Sequence, residues 1–359
     1  MRAAIMRNKQ LVVDKLPIPE PGPGEVLVKT LACGICGSDL HALRHGQEFV
    51  DTSNRTGDIF DMDLSRDVVM GHEFCAEIVA HGPETQATIK VGAAVCAMPV
   101  LLTRGRPQTV GYSNEHPGGY AEFMRLSESL LLPVTNGLSV QHAALTEPMA
   151  VGLHAVEKAR LDKDDVPLVI GCGPVGLSVI AALKARDIRP IVASDYSARR
   201  RELALLMGAD EVIDPGETSP YESWRAAATI IGGEEKLPPW KKGPLLRPAV
   251  IFECVGIPGV INQIMERAPK AARIVVVGVC MQNDSFDPIF GINKELNIQF
   301  VLGYSGKEFS RSLQSIANGD IDVAPLITGL IRIDDVAQAF VDLGSPDHHA
   351  KILVEPWRT

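Results

Sequence analysis

An apolar segment at residues 166–170 runs directly into a turn, Gly171-Cys-Gly-Pro-Val-Gly176, that contains three glycines. A buried strand, such a turn and a following helix form a unit that binds the pyrophosphate of a dinucleotide. The first glycine permits the tight turn, the second lets the backbone approach the phosphates, and the third lets the helix pack on the strand. The helix N-terminus adds amide N–H groups and a partial positive charge. The predicted phosphate contacts are Gly171, Gly173, Pro174, Val175 and Gly176.

A carboxylate follows this unit at a suitable distance. Asp195 lies 24 residues after Gly171, where a carboxylate accepts hydrogen bonds from the ribose hydroxyls. Because its charge repels a 2′-phosphate, the sequence favours NAD over NADP. Three arginines at positions 199–201 follow at once. Either one of them, Arg200 in our prediction, lies along the adenine, or they favour the extra phosphate of NADP. A glycine-rich turn without a ligand is a further alternative.

In the second half of the chain, helix-like and strand-like sequence patterns alternate. Helical spacing occurs at residues 148–160, from the glycine turn to about 186, and at 197–207. Apolar, strand-like segments occur at 190–194, 249–252, 273–279 and 298–302. Strands that alternate with helices predict a parallel sheet with helices on both faces.

The first 150 residues have a different sequence pattern. Residues 3–30 alternate apolar and polar positions around proline–glycine turns, and short apolar runs recur at 76–80 and 91–98. This pattern predicts a β-rich domain of short strands. We therefore predict an α/β protein with two domains. A β-rich domain comprises residues 1–150 and 303–359, and a doubly wound parallel-sheet domain comprises residues 151–302.

Two segments resemble insertions. Residues 46–67 are rich in acidic side chains, and residues 232–248 are rich in proline, glycine and lysine. A loop of this length without its own secondary structure is usually functional or mobile. For the second segment, a solvated surface loop is at least as good an interpretation.

Length, charge and cysteine usage exclude several classes of protein. The 359 residues suffice for two domains and a sizeable core. The net charge of −9 argues against nucleic acid as the main partner, which requires a basic surface. No apolar run reaches the about 18 residues of a membrane span, and no secretory signal is recognisable. Seven scattered cysteines favour reduced thiols or metal ligands over disulfides. We expect a cytoplasmic protein.

Four chemically reactive side chains lie close together in the stretch Cys33-Gly-Ile-Cys-Gly-Ser-Asp-Leu-His41. Cys36 offers a thiolate, Ser38 a hydroxyl, Asp39 a carboxylate and His41 an imidazole. The Cys-x-x-Cys spacing of Cys33 and Cys36 is also typical of redox chemistry or of a zinc knuckle. Because the chain has no second such pair, we interpret Cys33 as a packing residue.

Further candidate metal ligands lie outside this stretch. His72 follows Cys36 by 36 residues, and Glu147 follows His72 by 75 residues. A catalytic zinc typically takes three protein ligands and keeps one position open. Spacing alone does not show that these three side chains converge. Among the other histidines, His116 is the one that we expect near a substrate pocket.

Several motifs together resemble one family in their order along the chain. They are the stretch from Cys33 to His41, Gly71-His72-Glu73, Gly118-Gly119-Tyr-Ala-Glu122, Glu147-Pro148 and the glycine turn. The chain resembles the zinc-dependent medium-chain dehydrogenase/reductase superfamily, in its alcohol and polyol dehydrogenase family, over nearly its whole length. The resemblance implies a GroES-like catalytic domain and a Rossmann domain, with hydride transfer between an alcohol and NAD. Glu147 at the third ligand position resembles the polyol, threonine and butanediol branch, which mostly oxidises secondary alcohols.

The resemblance also implies roles for single residues. Cys36, His72 and Glu147 resemble the ligands of a catalytic zinc, which lowers the pKa of the alcohol. Glu73 resembles a carboxylate that enters the coordination sphere transiently. Asp39 resembles the partner that fixes the ring of a ligand histidine.

A proton relay and further cofactor contacts are implied as well. Ser38 resembles the group that accepts the alcohol proton, and His41 the group that releases it to water. Val277 and Leu302 resemble residues that line a nicotinamide pocket. Lys351 resembles a basic contact of the pyrophosphate.

Relatives with a second, structural zinc carry four cysteines in the region of residues 90–115, where this chain has only Cys96. We therefore expect one catalytic zinc and no structural zinc. We also expect a homodimer or homotetramer, formed through the sheet edge near residues 298–302.

Two other functions stay open at this point. The same chemistry could act on a bulkier aromatic or sugar-derived alcohol, including a phosphorylated one if Arg44, Arg55 or Arg104 reaches the pocket. The chain could also be a nucleotide-binding protein that has lost catalysis. The presence of Cys36, Ser38, His41, His72 and Glu147 speaks against the latter.

Overall fold

The structure, a computed structural model, describes residues 1–57, 60, 62–102, 107–233 and 243–358. Arg104, part of the acidic segment and most of the second predicted insertion lie outside the described residues. The chain forms two compact units, Met1–Pro148 with Ser305–Thr359, and Met149–Tyr304. In the described part of the chain, every helix is too short or too polar to cross a membrane.

The elements follow each other along the chain as follows. The strands are β1 (Arg2–Arg7), β2 (Gln10–Lys15), β3 (Glu25–Gly34), β4 (Glu73–His81), β5 (Ala94–Ala97), β6 (Val100–Leu101), β7 (Gln108–Thr109), β8 (Phe123–Ser127), β9 (Leu131–Pro133), β10 (Val166–Ile170), β11 (Val192–Ser194), β12 (Glu211–Ile213), β13 (Ala249–Glu253), β14 (Arg273–Val276), β15 (Asn297–Phe300), β16 (Ile327–Ile331) and β17 (Lys351–Val354). The helices are α1 (Gly37–Thr56), α2 (Val140–Ala144), α3 (Thr146–Lys158), α4 (Pro174–Lys184), α5 (Ala198–Met207), α6 (Pro220–Ala228), α7 (Val260–Arg267), α8 (Pro288–Lys294), α9 (Gly306–Ala317) and α10 (Val336–Asp342).

The first unit is organised around the long strand β3. This strand pairs antiparallel with β4 on one side, and with β8 and then β17 on the other. Val26, Val28 and Ala32 point into the core, and they alternate with less buried positions as expected for a sheet with one covered face. β17 extends the sheet to β16 at one edge, while β5 and β9 extend it beyond β4. The C-terminal segment therefore completes the sheet that the first segment begins.

The acidic segment after His45 was expected to be a loop, but its first half is helical. Residues 46–56 continue α1, although the backbone leaves helical geometry at His45 (φ −123°, ψ 33°). Phe49 packs against Phe60 with 4.9 Å between ring centroids, and Gly57, in a left-handed conformation, ends the helix. The acidic composition concealed such apolar contacts, which anchor the helix on the domain.

The second unit contains a six-stranded sheet in which all neighbouring strands are parallel. Its spatial order is β12-β11-β10-β13-β14-β15, so the chain starts at the centre and winds outward in both directions. β10 and β13 are almost wholly apolar, because strands covered on both faces by helices have no polar side. Trp224 of α6 fixes one helix on the sheet by donating from its indole N–H to the Val166 carbonyl at 2.9 Å. The sheet confirms the predicted doubly wound parallel-sheet domain.

Candidate active site

The polar stretch of the sequence lies where β3 turns into α1. Cys36 precedes the first helical residue, and its backbone N–H donates to Asp39 Oδ2 at 3.0 Å. This bond satisfies a donor that a helix N-terminus leaves open. The first helical turn, which carries Ser38 and Asp39, therefore begins directly after Cys36, and His41 follows on the same helix.

Three potential metal ligands converge at this point. Ligand atoms of Cys36, His72 and Glu73 all lie within 4.8 Å of one another. Glu73 opens β4, opposite Gly34 of β3. A Cβ on Gly34 would lie 2.0 Å from Glu73 Oε2, so only glycine leaves room for the carboxylate. Cys36 is partly exposed, whereas His72 and Glu73 are buried, so the cluster is open on the cysteine side.

Asp39 connects the parts of this site and is completely buried. Its Oδ2 also accepts a hydrogen bond from the Tyr120 hydroxyl at 2.7 Å, and its Oδ1 accepts one from the Tyr112 hydroxyl at 2.8 Å. Burial alone would raise the pKa of Asp39, but the charge of His72 and the surrounding hydrogen bonds outweigh burial and lower this pKa. The carboxylate is therefore held ionised beside the imidazole.

The His72 ring lies between Asp39 and Cys36. Its Nδ1 is 3.4 Å from Asp39 Oδ1, although among the described residues it has no hydrogen-bond partner of ordinary geometry. Burial opposes protonation, but Asp39 and Cys36 together raise the pKa of His72 well above its usual value. A histidine with one ring nitrogen toward a carboxylate and the other toward a thiolate has the orientation typical of a metal ligand.

Lys351 lies beside the candidate metal ligands. Its side chain is 1% exposed, and its Nζ donates to both carboxylate oxygens of Glu73 at 2.7 Å and to the Ile35 carbonyl at 3.1 Å. Three acceptors thus hold the ammonium in the interior, because β17 pairs with the end of β3 and turns the side chain inward. Its contact with a pyrophosphate stays a prediction.

Glu147 lies near Lys351, and its side chain is largely buried. Burial would lower the pKa of Lys351, but the negative charges of Glu73, Cys36 and Glu147 raise it overall. Glu147 is therefore close enough to Lys351 to act on its charge. It is not one of the three residues whose ligand atoms meet within 4.8 Å.

Tyr112 is a functional candidate that the sequence did not reveal. Its hydroxyl lies 2.8 Å from Ser38 Oγ, and its ring centroid is 5.2 Å from that of His72. Burial raises the pKa of Tyr112 well above its usual value, and the charges of Asp39 and Cys36 add to this effect. No motif in the sequence pointed to this tyrosine.

His41 lies one helical turn beyond Ser38 on α1 and is partly buried. Its ring centroid is 6.4 Å from that of His45. Burial lowers the pKa of His41, and the neighbouring His45 and Arg44 lower it further. The imidazole is therefore neutral at pH 7 and able to accept a proton.

His116 and Cys33 serve the core of the first unit. His116 Nδ1 accepts a hydrogen bond from Arg125 at 2.9 Å, and the other ring nitrogen contacts Gln108. His116 is thus engaged by two side chains of the domain, and its place near a substrate stays a prediction. Cys33 is fully buried, and burial together with Asp39 and Glu73 raises the pKa of its thiol well above the usual value. An unreactive thiol of this kind agrees with a packing role.

The glycine turn of the second unit joins β10 to α4. Gly171 has φ +91°, a conformation that favours glycine, and a Cβ on Gly176 would lie 1.9 Å from the Gly171 carbonyl oxygen. A Cβ on Gly173, in contrast, would meet only Arg200 atoms, at 3.8 Å or more. The protein itself does not require glycine at position 173, so the open space there fits a ligand that approaches the backbone.

Asp195 lies beside this turn. Its Oδ2 accepts from the Cys172 N–H and its Oδ1 from the Ser197 N–H, both at 2.8 Å. The Arg200 guanidinium lies 3.8 Å from Asp195 Oδ2. The carboxylate is therefore fixed next to the glycine turn, with a cation close to it.

The two predicted nicotinamide contacts lie just beyond strand ends. Val277 follows β14 and is nearly buried, whereas Leu302 follows β15 and is 73% exposed. Ligands of open parallel sheets bind at the carboxyl ends of the strands, which is where both residues lie. Their contact with a nicotinamide stays a prediction.

The residues present fit the two groups that the sequence suggests. A thiolate, an imidazole and carboxylates form a donor set suited to zinc, and the ring of His72 is already oriented by Asp39. The uncrowded Gly173 and the fixed Asp195 fit a dinucleotide.

Comparison with known proteins agrees with this geometry. Residues 22–136 match the alcohol dehydrogenase GroES-like domain, and residues 174–318 match the zinc-binding dehydrogenase family. The (R,R)-butanediol dehydrogenase of Bacillus subtilis (strain 168) is 31% identical over 372 residues, which cover 99% of this chain and 100% of that protein.

Two further similarities extend over the whole chain. The sorbitol dehydrogenase of Bacillus subtilis (strain 168) is 27% identical over 374 residues, covering 100% of this chain and 98% of that protein. The X-ray structure of 2R,3R-butanediol dehydrogenase from Bacillus subtilis matches with a TM-score of 0.78 and 30% identity, covering 99% of both chains.

A GroES-like unit with a thiolate–imidazole–carboxylate cluster, together with a Rossmann unit, defines an oxidoreductase that acts on the CH–OH group of alcohols. The chain belongs to the zinc-dependent medium-chain dehydrogenases.

Proposed function

We propose that this enzyme oxidises secondary alcohols of the diol or polyol class, with NAD as the hydride acceptor and one catalytic zinc per chain. The observation that carries the proposal is the convergence of Cys36, His72 and Glu73 within 4.8 Å, beside a buried and ionised Asp39. A protein that only binds nucleotides has no need for such a costly group of buried charges.

We propose Cys36, His72 and Glu147 as the zinc ligands. Glu73 is neutralised by Lys351 through both of its oxygens, which supports a role near the metal other than that of a permanent ligand. Glu147 is buried and acts on the same lysine, so its carboxylate is close to the cluster. The ion that fits these donors is zinc, because a thiolate combined with an imidazole and a carboxylate suits it.

When bound, zinc supplies a Lewis acid that lowers the pKa of the alcohol, and NAD supplies the acceptor for the hydride. Ser38, on the partly exposed side of the cluster, would accept the alcohol proton and pass its own hydroxyl proton on toward the ribose and His41. His41 is neutral at pH 7, because burial and its cationic neighbours lower its pKa, so it takes up the proton and releases it to water. Asp39 holds the ring of His72 in place during this process.

NAD is proposed over NADP because of Asp195. Its carboxylate is fixed beside the glycine turn by two backbone N–H groups, where it would accept hydrogen bonds from ribose hydroxyls and repel a 2′-phosphate. Arg200, 3.8 Å from this carboxylate, softens the repulsion. We therefore expect a preference for NAD and not an absolute exclusion of NADP.

The substrate class rests on two similarities. The relatives named butanediol dehydrogenase and sorbitol dehydrogenase align with this chain over nearly its whole length. Both names denote compounds with neighbouring hydroxyl groups, so a diol or polyol is the class to test first.

The proposed assembly is a homodimer formed through β15. Within the described residues this strand pairs only with β14, so its other edge is open. Phe300 is 60% exposed on this strand, and Ile292 is 70% exposed on the preceding helix α8. An open edge with exposed apolar side chains requires cover, and a second copy of the same strand provides it.

The decisive experiment is an NAD-coupled activity screen with zinc analysis of the same protein. We expect NADH formation with butane-2,3-diol or a polyol such as sorbitol, lower rates with aromatic alcohols and hydroxy acids, and about one zinc per chain. Protein that is purified without chelators and contains no zinc, or that oxidises no alcohol, would contradict the proposal.

A further inference from the structure

Glu253 is the last residue of β13, at the point where the strand order of the parallel sheet reverses. β13 pairs with β10 on one side and with β14 on the other, and the chain winds outward from β10 in both directions. Ligands of such sheets bind in the crevice beyond the carboxyl ends of the strands at this point. Glu253 is 1% exposed, and none of the sequence motifs includes it. A carboxylate buried at this edge is unfavourable unless it has hydrogen-bond partners.

Glu253 accepts hydrogen bonds from four backbone N–H groups in two loops. Its side-chain Oε1 accepts from Val255 at 2.7 Å and from Gly256 at 2.8 Å, in the loop after β13. Its main-chain carbonyl accepts from Val277 and Gly278, both at 2.9 Å, in the loop after β14. One residue thus fixes the beginning of both loops. Only the first pair of bonds depends on the side chain, because every residue has a main-chain carbonyl.

The two loops are in direct backbone contact. Gly256 has φ +71°, and a Cβ on it would lie 2.7 Å from the nitrogen and the oxygen of Val279. A Cβ on Gly278 would meet the Gly256 nitrogen and would lie 2.8 Å from Glu253 Oε2. The Glu253 carboxylate therefore occupies space that Gly278 leaves open, and the backbone of one loop rests on the backbone of the other.

The loop after β13 also contacts the glycine turn. A Cβ on Gly171 would lie 2.8 Å from Val255 Cγ2, and a Cβ on Gly176 would lie 3.4 Å from Cys254 Cβ. Residues 254–256 are therefore packed between the turn proposed for the pyrophosphate and the loop that begins with the predicted nicotinamide contact at position 277. The position of this short segment affects both neighbours.

We infer that Glu253 is a positioning residue for the nicotinamide half of the cofactor. Its carboxylate fixes Val255 and Gly256 in the loop after β13. That loop in turn supports the backbone at Gly278, next to Val277. The inference rests on the proposed function, because it takes NAD as the cofactor and Val277 as one of its contacts.

The adenine half of the proposed cofactor site is held by other bonds. Asp195 is fixed by the N–H groups of Cys172 and Ser197, and neither of these two bonds involves Glu253. Loss of the Glu253 carboxylate should therefore weaken a ligand that reaches the nicotinamide region and spare one that ends at the first phosphate. NADH and AMP are two such ligands, since they share the adenosine and differ in everything beyond its phosphate.

Two substitutions separate the acceptor from the volume of the side chain. Glu253→Met has a similar length, but its thioether is at most a weak acceptor, whereas Glu253→Gln keeps an amide oxygen that can accept both N–H groups. Asp210→Ala is the matched control. Asp210 Oδ2 accepts from the Ile191 N–H at 2.7 Å, just before β11 and thus at the opposite end of the same sheet. This control removes a carboxylate that binds backbone and leaves the cofactor edge untouched.

The first test measures the dissociation constants of NADH and AMP by calorimetry on the purified enzyme. Glu253→Met should weaken NADH binding about 10-fold, the value of one hydrogen bond to a charged group, and AMP binding by less than about twofold. Glu253→Gln and Asp210→Ala should both keep the wild-type ratio of the two constants within about twofold. Equal weakening of both ligands by Glu253→Met, or the same loss of NADH binding in Glu253→Gln, would overturn the inference.

The second test uses a milder variant and needs no ligand. Glu253→Asp keeps the carboxylate but withdraws it by one methylene from the N–H groups of Val255 and Gly256. Hydrogen exchange followed by mass spectrometry should show residues 254–257 exchanging about 10-fold faster than in the wild type, because their amides lose an acceptor. Unchanged exchange in this segment would overturn the inference even if Glu253→Met does not fold.

The outcomes separate this inference from the proposed function. A wild-type enzyme that binds NADH but oxidises no alcohol contradicts the proposed function, while the ratio of the NADH and AMP constants still decides the role of Glu253. A wild-type enzyme that binds no NADH overturns both. If the wild type oxidises alcohols with NAD and Glu253→Met keeps the wild-type ratio, only the role of Glu253 fails.

Discussion

The glycine turn of the second unit and the metal cluster of the first unit are built in different ways. The turn, with Gly171, Gly176 and Asp195, comes from 25 consecutive residues of one strand–helix–strand unit. The metal cluster collects Cys36, His72 and Glu73, with Lys351 beside them, from ends of elements that are far apart in the chain. In the turn, backbone groups and the absence of side chains create the site. In the cluster, buried charged side chains balance one another.

Substitutions in the glycine turn and in the metal cluster should therefore have different effects. A change in the turn should alter which nucleotide binds and leave the metal in place. A change in the cluster should alter the metal, catalysis or the stability of the domain and leave nucleotide binding intact.

The largest effect is expected for Cys36→Ser. Loss of the thiolate should reduce kcat/KM by more than about 100-fold, the upper figure for groups that merely support a ligand. NAD binding, followed by NADH fluorescence or calorimetry, should change little, because the glycine turn is untouched. Wild-type activity in this variant, or loss of NAD binding, would show that the two sites do not separate in this way.

The sequence predicted the turn because its determinants are local. The Gly171, Gly173 and Gly176 spacing and the strand before it determine the backbone path, and Asp195 follows at the end of the next strand. The parallel sheet followed for the same reason, since each strand and helix carries its own periodicity.

The metal cluster was predicted only in part, and only because the chain resembles a family. Cys36, His72 and Asp39 come together as that resemblance implied. Tyr112 and the placement of Lys351 depend on which strands pair and which way their side chains face. β17 pairs with the end of β3 after more than 300 intervening residues, and no local pattern contains that information.

Lys351→Met should have the next largest effect, on stability. It leaves the Glu73 carboxylate buried without its cation, which costs about 3–5 kcal/mol in the free energy of unfolding. Urea denaturation measures this cost.

Two controls belong to this measurement. Adding Glu73→Gln should restore most of the lost stability, because the unpaired charge disappears. Lys270→Met breaks an exposed ion pair with Glu295 and should cost less than about 1 kcal/mol. If Lys351→Met and Lys270→Met cost the same, Lys351 does not balance a buried charge.

Asp195→Asn should have a smaller effect that is confined to the cofactor. Without the negative charge beside the glycine turn, the ratio of kcat/KM for NAD to that for NADP should fall about 10-fold, since a like-charge contact is removed. Zinc content should stay the same. Asp214→Asn, which removes a carboxylate paired with Arg201 instead, should leave the ratio nearly unchanged.

The smallest effect concerns pH and His116. Burial lowers the pKa of His116 and the Arg125 cation lowers it further, while Glu25 and Glu115 partly oppose this. Because the pKa is lower in the folded state than the 6.5 of a free histidine, the neutral ring contributes its full stability above pH 6.5. That contribution is lost as the pH falls from there through the folded-state pKa. Urea denaturation between pH 5 and pH 7.5 should show this decline, and it should be weaker in His116→Gln. An identical pH dependence in the variant would exclude His116 as its source.

Zinc K-edge X-ray absorption of the purified enzyme tests the central claim most directly, namely that Cys36 is joined by distant residues to hold one catalytic metal ion. The account predicts zinc with one sulfur ligand at about 2.3 Å, the remaining ligands being nitrogen and oxygen at about 2.0–2.2 Å. The sulfur signal should disappear in Cys36→Ser. Zinc with no sulfur ligand, or with two or more sulfurs in the wild-type enzyme, would contradict the account.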